Sequence, residues 1–184
     1  MLCKQPGRVV DQDCNDKGGQ AQHEGEDHAC ETKFRALLKR ERGFMDGFKF
    51  HHVGVAVRDL QTSIPIYGAL FDYKLMSGPV DDPIQKVSVC FMSRGEGDTV
   101  IELVAPLGPN SPIDRTLKKG GGIYHVCYEV QDISAAIDHL TGKGSFLISG
   151  PVPATAFDMR EIAWIMTEVN MLVELVQKPV RRSI

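Results

Sequence analysis

The sequence predicts an α+β protein in which a unit of one strand, one helix and three further strands, written βαβββ, occurs twice. Apolar residues alternate with the period of a strand in several short segments, and one segment in each half has the period of a helix. The strongest observation is an internal repeat whose matching residues lie 72 or 73 positions apart. The matching segments are HHVGVAVRDL (51–60) with YHVCYEVQDI (124–133), SGPV (77–80) with SGPV (149–152), and VIELV (100–104) with LVELV (172–176).

The first module, which we assign to 48–107, begins with a strand at 52–57, where valines alternate with a histidine and two small residues. Asp59 or Ser63 can cap the helix that follows, and Pro65 favours a late start for it. Polar turns separate the three remaining predicted strands, which lie near 73–76, 86–92 and 99–105.

The second module, assigned to 122–178, repeats this order. It has a strand at 124–130, a helix that begins at Asp132 and ends near Gly142, and strands near 146–148, 161–166 and 171–176. In the connector at 108–121, Ser111 and Pro112 suit the N-cap and first position of a short helix, and the glycines at 120–122 end it.

The residues before the repeat have a different composition. Within the leader at 1–47, residues 1 to about 30 contain few large apolar side chains, so they cannot bury enough surface to offset the entropy lost on ordering. We expect a mostly disordered leader with a short helix at 31–43, and a short tail at 179–184.

Charge and composition exclude several classes of partner. The 184 residues carry a net charge of -3 with scattered Lys and Arg, which argues against nucleic-acid binding. No apolar run approaches the roughly 20 residues needed to cross a bilayer, and the start lacks the apolar stretch of a secretory signal. We therefore expect a cytoplasmic protein with a small-molecule substrate. The five cysteines are irregularly spaced, and Cys90 and Cys127 lie within apolar runs, where a reduced thiol is a small hydrophobic residue.

Four potential metal ligands occupy equivalent places in the two modules: His52, Glu102, His125 and Glu174. Each module contributes a histidine from its first strand and a glutamate from its last. If the modules pair about an approximate twofold axis, these side chains converge. Two imidazoles and two carboxylates suit one divalent ion such as Zn, Ni, Co, Mn or Fe, and an octahedral ion would keep two positions open for water or substrate.

Burial strengthens this prediction. A single histidine at a strand start is more often a core or surface residue, but Glu102 and Glu174 each interrupt an apolar strand, where an uncompensated carboxylate is costly. A nearby cation would remove that cost. By strand alternation His51 should face away from His52, so we expect no role for it.

These segments resemble the vicinal oxygen chelate (glyoxalase/bleomycin resistance/dioxygenase) superfamily, and within it the methylmalonyl-CoA epimerase-like and glyoxalase I-like members. The resemblance rests on FHHVGVAVRDL (50–60), IELVAPLGPNSPI (101–113), GGIYHVCYEV (121–130) and MLVELVQ (171–177). It implies a curved mixed sheet around a central metal cavity. It also implies that His52, Glu102, His125 and Glu174 bind the metal, since all four match the family's ligands in chemical type.

The resemblance implies a metal-dependent epimerase or isomerase that acts on a small carbonyl or acyl-CoA substrate through a metal-stabilised enolate. Glu174 and Glu102 are then the candidate catalytic carboxylates. Some such epimerases carry a glutamate on the third strand, whereas KVSVCFM at 86–92 has none. The alternatives are a glyoxalase I-type lyase on a glutathione hemithioacetal and a non-catalytic protein that binds a small molecule such as an antibiotic.

Two further residues and an assembly state complete the expectations. Arg160 and Trp164 lie on or near the seventh predicted strand, where they could line the substrate pocket, the arginine pairing with a carboxylate or phosphate. The resemblance also implies a homodimer.

Overall fold

Two βαβββ modules form one eight-stranded mixed sheet that curves into a half-barrel, as predicted. The computed structural model describes residues 47–179, so the predicted leader helix at 31–43 lies outside the described residues. The first module contains β1 (Phe48–Ala56), α1 (Leu60–Phe71), β2 (Lys74–Asp82), β3 (Val87–Ser93) and β4 (Ile101–Pro106). The connector carries α2 (Asp114–Lys118). The second module contains β5 (Gly122–Val130), α3 (Ile133–Thr141), β6 (Phe146–Ala154), a 3-10 turn (Thr155–Phe157), β7 (Arg160–Met166) and β8 (Leu172–Gln177).

The strand order brings the first and last strands of both modules to the middle of the sheet. The order is β2-β3-β4-β1-β5-β8-β7-β6. At the centre β1 and β5 pair antiparallel, and each pairs in parallel with the last strand of its own module, β4 or β8. The four strands predicted to carry metal ligands are therefore neighbours.

The two long helices start where an aspartate caps them. Asp59 accepts hydrogen bonds from two backbone amides of the first turn of α1, and Asp132 accepts one from the amide of Ala135 in α3. The late start that Pro65 favoured is wrong, since Pro65 lies inside α1 on its exposed side. None of the helices in the described part of the chain is long and apolar enough to span a membrane.

The connector helix begins later than predicted. Its N-cap is Ile113, not Ser111, and it starts at Asp114. The hydroxyl of Ser111 instead donates a hydrogen bond to the carbonyl of Lys86, 2.9 Å away. Ser111 thus anchors the connector to the start of β3.

The repeated SGPV segments lie within strands, whereas the sequence predicted that both strands stop before them. β2 and β6 each continue through this segment, with a shift in pairing register against the neighbouring strand. Both strands are edge strands, where proline is tolerated. Gly78 has φ 85°, and a Cβ there would lie 2.7 Å from the carbonyl oxygen of Val89, so glycine allows the close approach.

A buried aspartate connects the two modules. Asp82, at the end of β2, is 1% exposed, and its Oδ1 accepts hydrogen bonds from the amides of Ile84 and Gln85. Its Oδ2 accepts a 2.7 Å hydrogen bond from the amide of Thr155 in the second module. All three donors are backbone N–H groups, so both oxygens of the Asp82 side chain serve as acceptors.

We predict that Asp82→Asn destabilises the protein by about 1.5–3 kcal/mol, because the amide NH2 would face the N–H of Thr155 and leave it without an acceptor. Urea unfolding measures this change. The control is Asp81→Asn at the exposed neighbouring position, which should change stability by less than about 0.5 kcal/mol. Equal stability of the two variants would contradict the structural role of Asp82.

Candidate metal centre

The four predicted ligands meet at one buried point. His52, Glu102, His125 and Glu174 are each at most 4% exposed, and one ligand atom from each lies within 4.8 Å of the others. The Nε2 atoms of the two histidines are 3.0 Å apart. Oε2 of Glu102 lies 3.3 Å and 3.4 Å from those nitrogens, and Oε2 of Glu174 lies 3.5 Å and 3.6 Å from them.

These separations fit a shared ion. Two ligand atoms that are each about 2.1 Å from an ion lie about 3.0 Å apart at a right angle and about 3.4 Å apart at the tetrahedral angle. The buried Oε2 of Glu174 also lacks a hydrogen-bond partner, although it faces both imidazoles. An unsatisfied buried carboxylate oxygen is costly, and a bound cation would satisfy it. The residues present therefore fit a divalent ion.

The charges of the cluster depend on each other. Burial alone raises the pKa of the Glu102 carboxyl, but hydrogen bonds and charge from His125 and His52 outweigh it and lower that pKa to about 2. Burial alone lowers the pKa of His125, but the nearby Glu102 and Glu174 carboxylates outweigh it and raise that pKa to about 9. The two carboxylates thus create a strong local preference for positive charge, which suits a dication.

Strand register explains how distant residues converge. Two rows of paired residues cross the central strands, and each row contains one histidine, one glutamate and one small residue. The first row runs through Glu102, Gly54 and His125, and the second through His52, Cys127 and Glu174. Each row takes its histidine from one module and its glutamate from the other, and the internal repeat relates the two rows.

Gly54 makes room for the imidazole ring of His125. It lies opposite His125 in the register, and a Cβ at this position would be 2.0 Å from Cε1 and 2.5 Å from Nε2 of that ring. The imidazole of His125 therefore lies directly over the glycine backbone. The sequence showed small residues on the same strand face as His52, but not that one of them must be glycine.

Two β-bulges each place one extra residue directly before one of the two histidines. The pairing of β1 with β5 shifts between Phe50 and His52, which leaves His51 as the extra residue. A second shift leaves Tyr124 as the extra residue before His125. The prediction that His51 faces away from His52 is wrong, because the bulge breaks the alternation and brings Nδ1 of His51 within 2.8 Å of Nδ1 of His52.

Aromatic side chains support both imidazoles at equivalent positions. Trp164, paired with Glu174 in the register, contacts the ring of His125 edge-on at a centroid distance of 4.9 Å. Phe91, paired with Glu102, contacts the ring of His52 edge-on at 5.4 Å. Such contacts limit how far each imidazole can rotate.

A mostly apolar cavity of about 160 Å³ opens onto His125, Glu102 and Glu174. Its other lining residues include Tyr124 and Trp164, together with valine, isoleucine, leucine and alanine side chains from both modules. The indole N–H of Trp164 donates to the side-chain oxygen of Gln85 at 3.3 Å, which closes one side of the cavity. Trp164 is thus at the predicted pocket.

Arg160 is not at this cavity. Its guanidinium donates to Glu129 at 3.2 Å and to the carbonyl oxygens of Gln177 and Phe157, and it lines a separate polar cavity. Its ion pair with Glu129 and its contacts with backbone carbonyls explain the position of Arg160. The structure therefore does not place Arg160 beside Trp164 at this cavity, as the sequence had predicted.

With this geometry established, comparison with known proteins decides the family. A model described as the Glyoxalase/Bleomycin resistance protein/Dioxygenase superfamily matches residues 51–164, more than half of the chain. The chain belongs to this superfamily. It is 38% identical over 107 residues to the ethylmalonyl-CoA/methylmalonyl-CoA epimerase of Cereibacter sphaeroides, an alignment that covers 57% of this chain and 78% of the relative.

Two further matches are also named methylmalonyl-CoA epimerase. The chain is 34% identical over 134 residues to the mitochondrial methylmalonyl-CoA epimerase of Dictyostelium discoideum, covering 71% of this chain and 78% of the relative. The crystal structure of methylmalonyl-CoA epimerase from Mycobacterium tuberculosis matches with a TM-score of 0.63 and 27% identity, covering 72% of this chain and 89% of that one. The expected superfamily and fold are thereby confirmed, and these relatives are named as enzymes.

Several residues of the site were missed by the sequence reasoning. Tyr124 and His51 were missed because regular strand alternation assumes that the strand contains no bulge. Asp82 and Gln85 were read as turn residues, and only the paired modules bring them beside Thr155 and Trp164. The HH and YH dipeptides at equivalent repeat positions were the available signal for the bulge residues.

We predict that Gly54→Ala weakens metal binding by at least about tenfold, because the added methyl group displaces the His125 ring from the ion. Titration of the metal-free protein with Co²⁺ or Zn²⁺ measures the dissociation constant. The control is Ser88→Ala, a β3 position outside the cluster, with unchanged affinity. Affinity equal to that of the wild type in Gly54→Ala would show that the ring is not constrained by the glycine.

Proposed function

We propose that this protein is a metal-dependent epimerase of methylmalonyl-type acyl-CoA thioesters. The observation that carries the proposal is the pair of buried glutamates, one from each module, beside two imidazoles at the base of a small apolar cavity. The epimerase names of the relatives from Cereibacter sphaeroides and Dictyostelium discoideum support this substrate class. A divalent ion held by His52, Glu102, His125 and Glu174 would supply Lewis-acid stabilisation of negative charge on substrate oxygens.

The cavity favours an acyl group as its occupant. Its polar lining is limited to a few groups, and its described lining residues include no lysine or arginine. An anionic substrate group inside it would therefore depend on the ion for charge compensation. Valine, isoleucine and alanine side chains can contact the methyl group and the thioester. A volume of about 160 Å³ suits the reacting end of a substrate such as a methylmalonyl thioester, with the rest of the CoA outside the cavity.

Proton transfer is the part of the reaction that this chain's residues perform. The C–H bond at C2 of the substrate breaks, its proton passes to one glutamate, and the bonding electrons delocalise onto the thioester oxygen. The other glutamate returns a proton to the opposite face of C2, which inverts the centre. A carboxylate that binds an ion through one oxygen keeps a second oxygen for the proton. We assign these roles to Glu102 and Glu174 because they lie in related rows on the two sides of the cluster.

Asp82 is a poor third candidate for the base. It also lines the cavity, but its two oxygens already accept three backbone hydrogen bonds. β3 itself carries no carboxylate, so it offers no base at the position that some epimerases use. Trp164 forms a wall of the proposed substrate pocket. Its indole is held there by the hydrogen bond to Gln85.

We predict that the metal-loaded protein exchanges the C2 proton of a methylmalonyl thioester for deuterium, with inversion at C2. The exchange is measured in D₂O as the loss of the ¹H NMR signal of the C2 proton. The metal-free protein is the control. A hemithioacetal of methylglyoxal and glutathione tests the lyase alternative on the same sample. Consumption of the hemithioacetal without any C2 exchange would contradict the proposed function.

We further predict that Glu102→Gln and Glu174→Gln each block proton removal from a different epimer, because each glutamate serves one face of C2. For the affected epimer the exchange rate should fall at least about 100-fold. Exchange of the other epimer should persist, and inversion should be lost in both variants. Metal content is determined for each variant, so that loss of the ion is not mistaken for loss of the base. Normal inversion by either metal-loaded variant would exclude a two-base reaction.

A further inference from the structure

His51 has an unusually close relation to a proposed metal ligand. Its Nδ1 lies 2.8 Å from Nδ1 of His52, and the two rings meet edge-on with a centroid distance of 5.1 Å. The Nε2 atom of His52 faces the other direction, toward His125 and the two glutamates. The His51 ring is itself held between Phe91 and Phe157, at centroid distances of 6.3 Å and 5.6 Å.

In this contact one of the two Nδ1 atoms must donate and the other must accept, so the contact and the tautomer of His52 depend on each other. An imidazole can bind an ion through Nε2 only when that atom has a free lone pair, so the ring proton must be on Nδ1. A buried Nδ1–H needs an acceptor, and the Nδ1 atom of His51 is at hydrogen-bond distance. His51 accepts in this arrangement when its own ring proton is on Nε2.

We propose that His51 is a positioning residue that accepts the Nδ1–H of His52, and thereby fixes the tautomer and ring orientation with which His52 binds the ion. This inference rests on the metal binding assumed in the proposed function, but not on the substrate or the reaction. A hydrogen-bond partner of this kind typically changes metal affinity 10- to 100-fold.

The second module provides an internal contrast. Tyr124 occupies the equivalent bulge before His125, yet Nδ1 of His125 has no hydrogen-bond partner among residues 47–179. Packing against Gly54 and Trp164 constrains that ring instead. The two histidines are therefore held in different ways, and removal of a polar group from the two bulges should have unequal effects.

A competing explanation uses the same atoms. His51, His52 and Cys127 together offer three ligand atoms that lie within 4.8 Å of one another. If these residues held a second ion, the Nδ1 atom of His52 would bind it and would carry no proton. The number of ions bound per chain separates the two explanations.

The test is Co²⁺ binding to the metal-free full-length protein, without substrate. We expect His51→Phe to weaken binding 10- to 100-fold and to change the visible absorption of the bound Co²⁺, because the orientation of His52 is lost. His51→Gln, whose side-chain oxygen can accept the same hydrogen bond, should recover most of the affinity. The matched control is Tyr124→Phe, which should change affinity by less than about threefold, since it removes no hydrogen bond to His125.

Three results would overturn the proposal. The first is wild-type affinity and absorption in His51→Phe, and the second is equal weakening in His51→Phe and His51→Gln. The third is binding of two ions per chain with loss of one in Cys127→Ser. If His51→Phe does not fold, as judged by circular dichroism, His51→Leu tests the same loss of acceptor. Because no substrate is present, failure of the epimerase assay leaves this measurement unaffected.

Discussion

The antiparallel pairing of β1 with β5 is the constraint on which the site depends. It puts Gly54 opposite His125 and His52 opposite Cys127, so the two histidines come from different rows and different modules. The parallel neighbours β4 and β8 then add one glutamate to each row. A shift of β1 by one residue would turn His52 to the helix-covered face and separate the ligands. The four-residue cluster is therefore a property of strand register more than of any local motif.

The fold and the convergence of the four candidate ligands could be predicted from the sequence because duplication leaves a repeated signal. A glutamate in one apolar strand is ambiguous, but Glu102 and Glu174 at equivalent positions limit the explanations. Apolar periodicity likewise located each strand and helix, although the SGPV segments hid the second half of β2 and β6. The expected leader, cytoplasmic location and homodimer stay predictions.

What the sequence could not predict depends on departures from regular geometry and on contacts between modules. Strand alternation predicts that His51 points away from His52. The bulge instead brings the His51 side chain beside the candidate ligand His52. Arg160 was placed in the pocket because it lies near Trp164 in sequence, whereas its contacts with Glu129 and the backbone hold it elsewhere. The contact of Asp82 with Thr155 joins the two modules, and it could not be predicted because the two residues are 73 positions apart in the chain.

The four side chains of the cluster are related by the internal repeat, but the residues around the two histidines differ. On the side of His52, the rings of Phe91 and Phe157 cover the imidazole, and both belong to the buried core. On the side of His125, Tyr124 and Trp164 occupy the corresponding space but also line the cavity. The cavity thus reaches His125 and both glutamates, while His52 is enclosed. Two nearly identical half-sites can in this way give a centre that a substrate approaches from one direction, with one carboxylate from each module in reach.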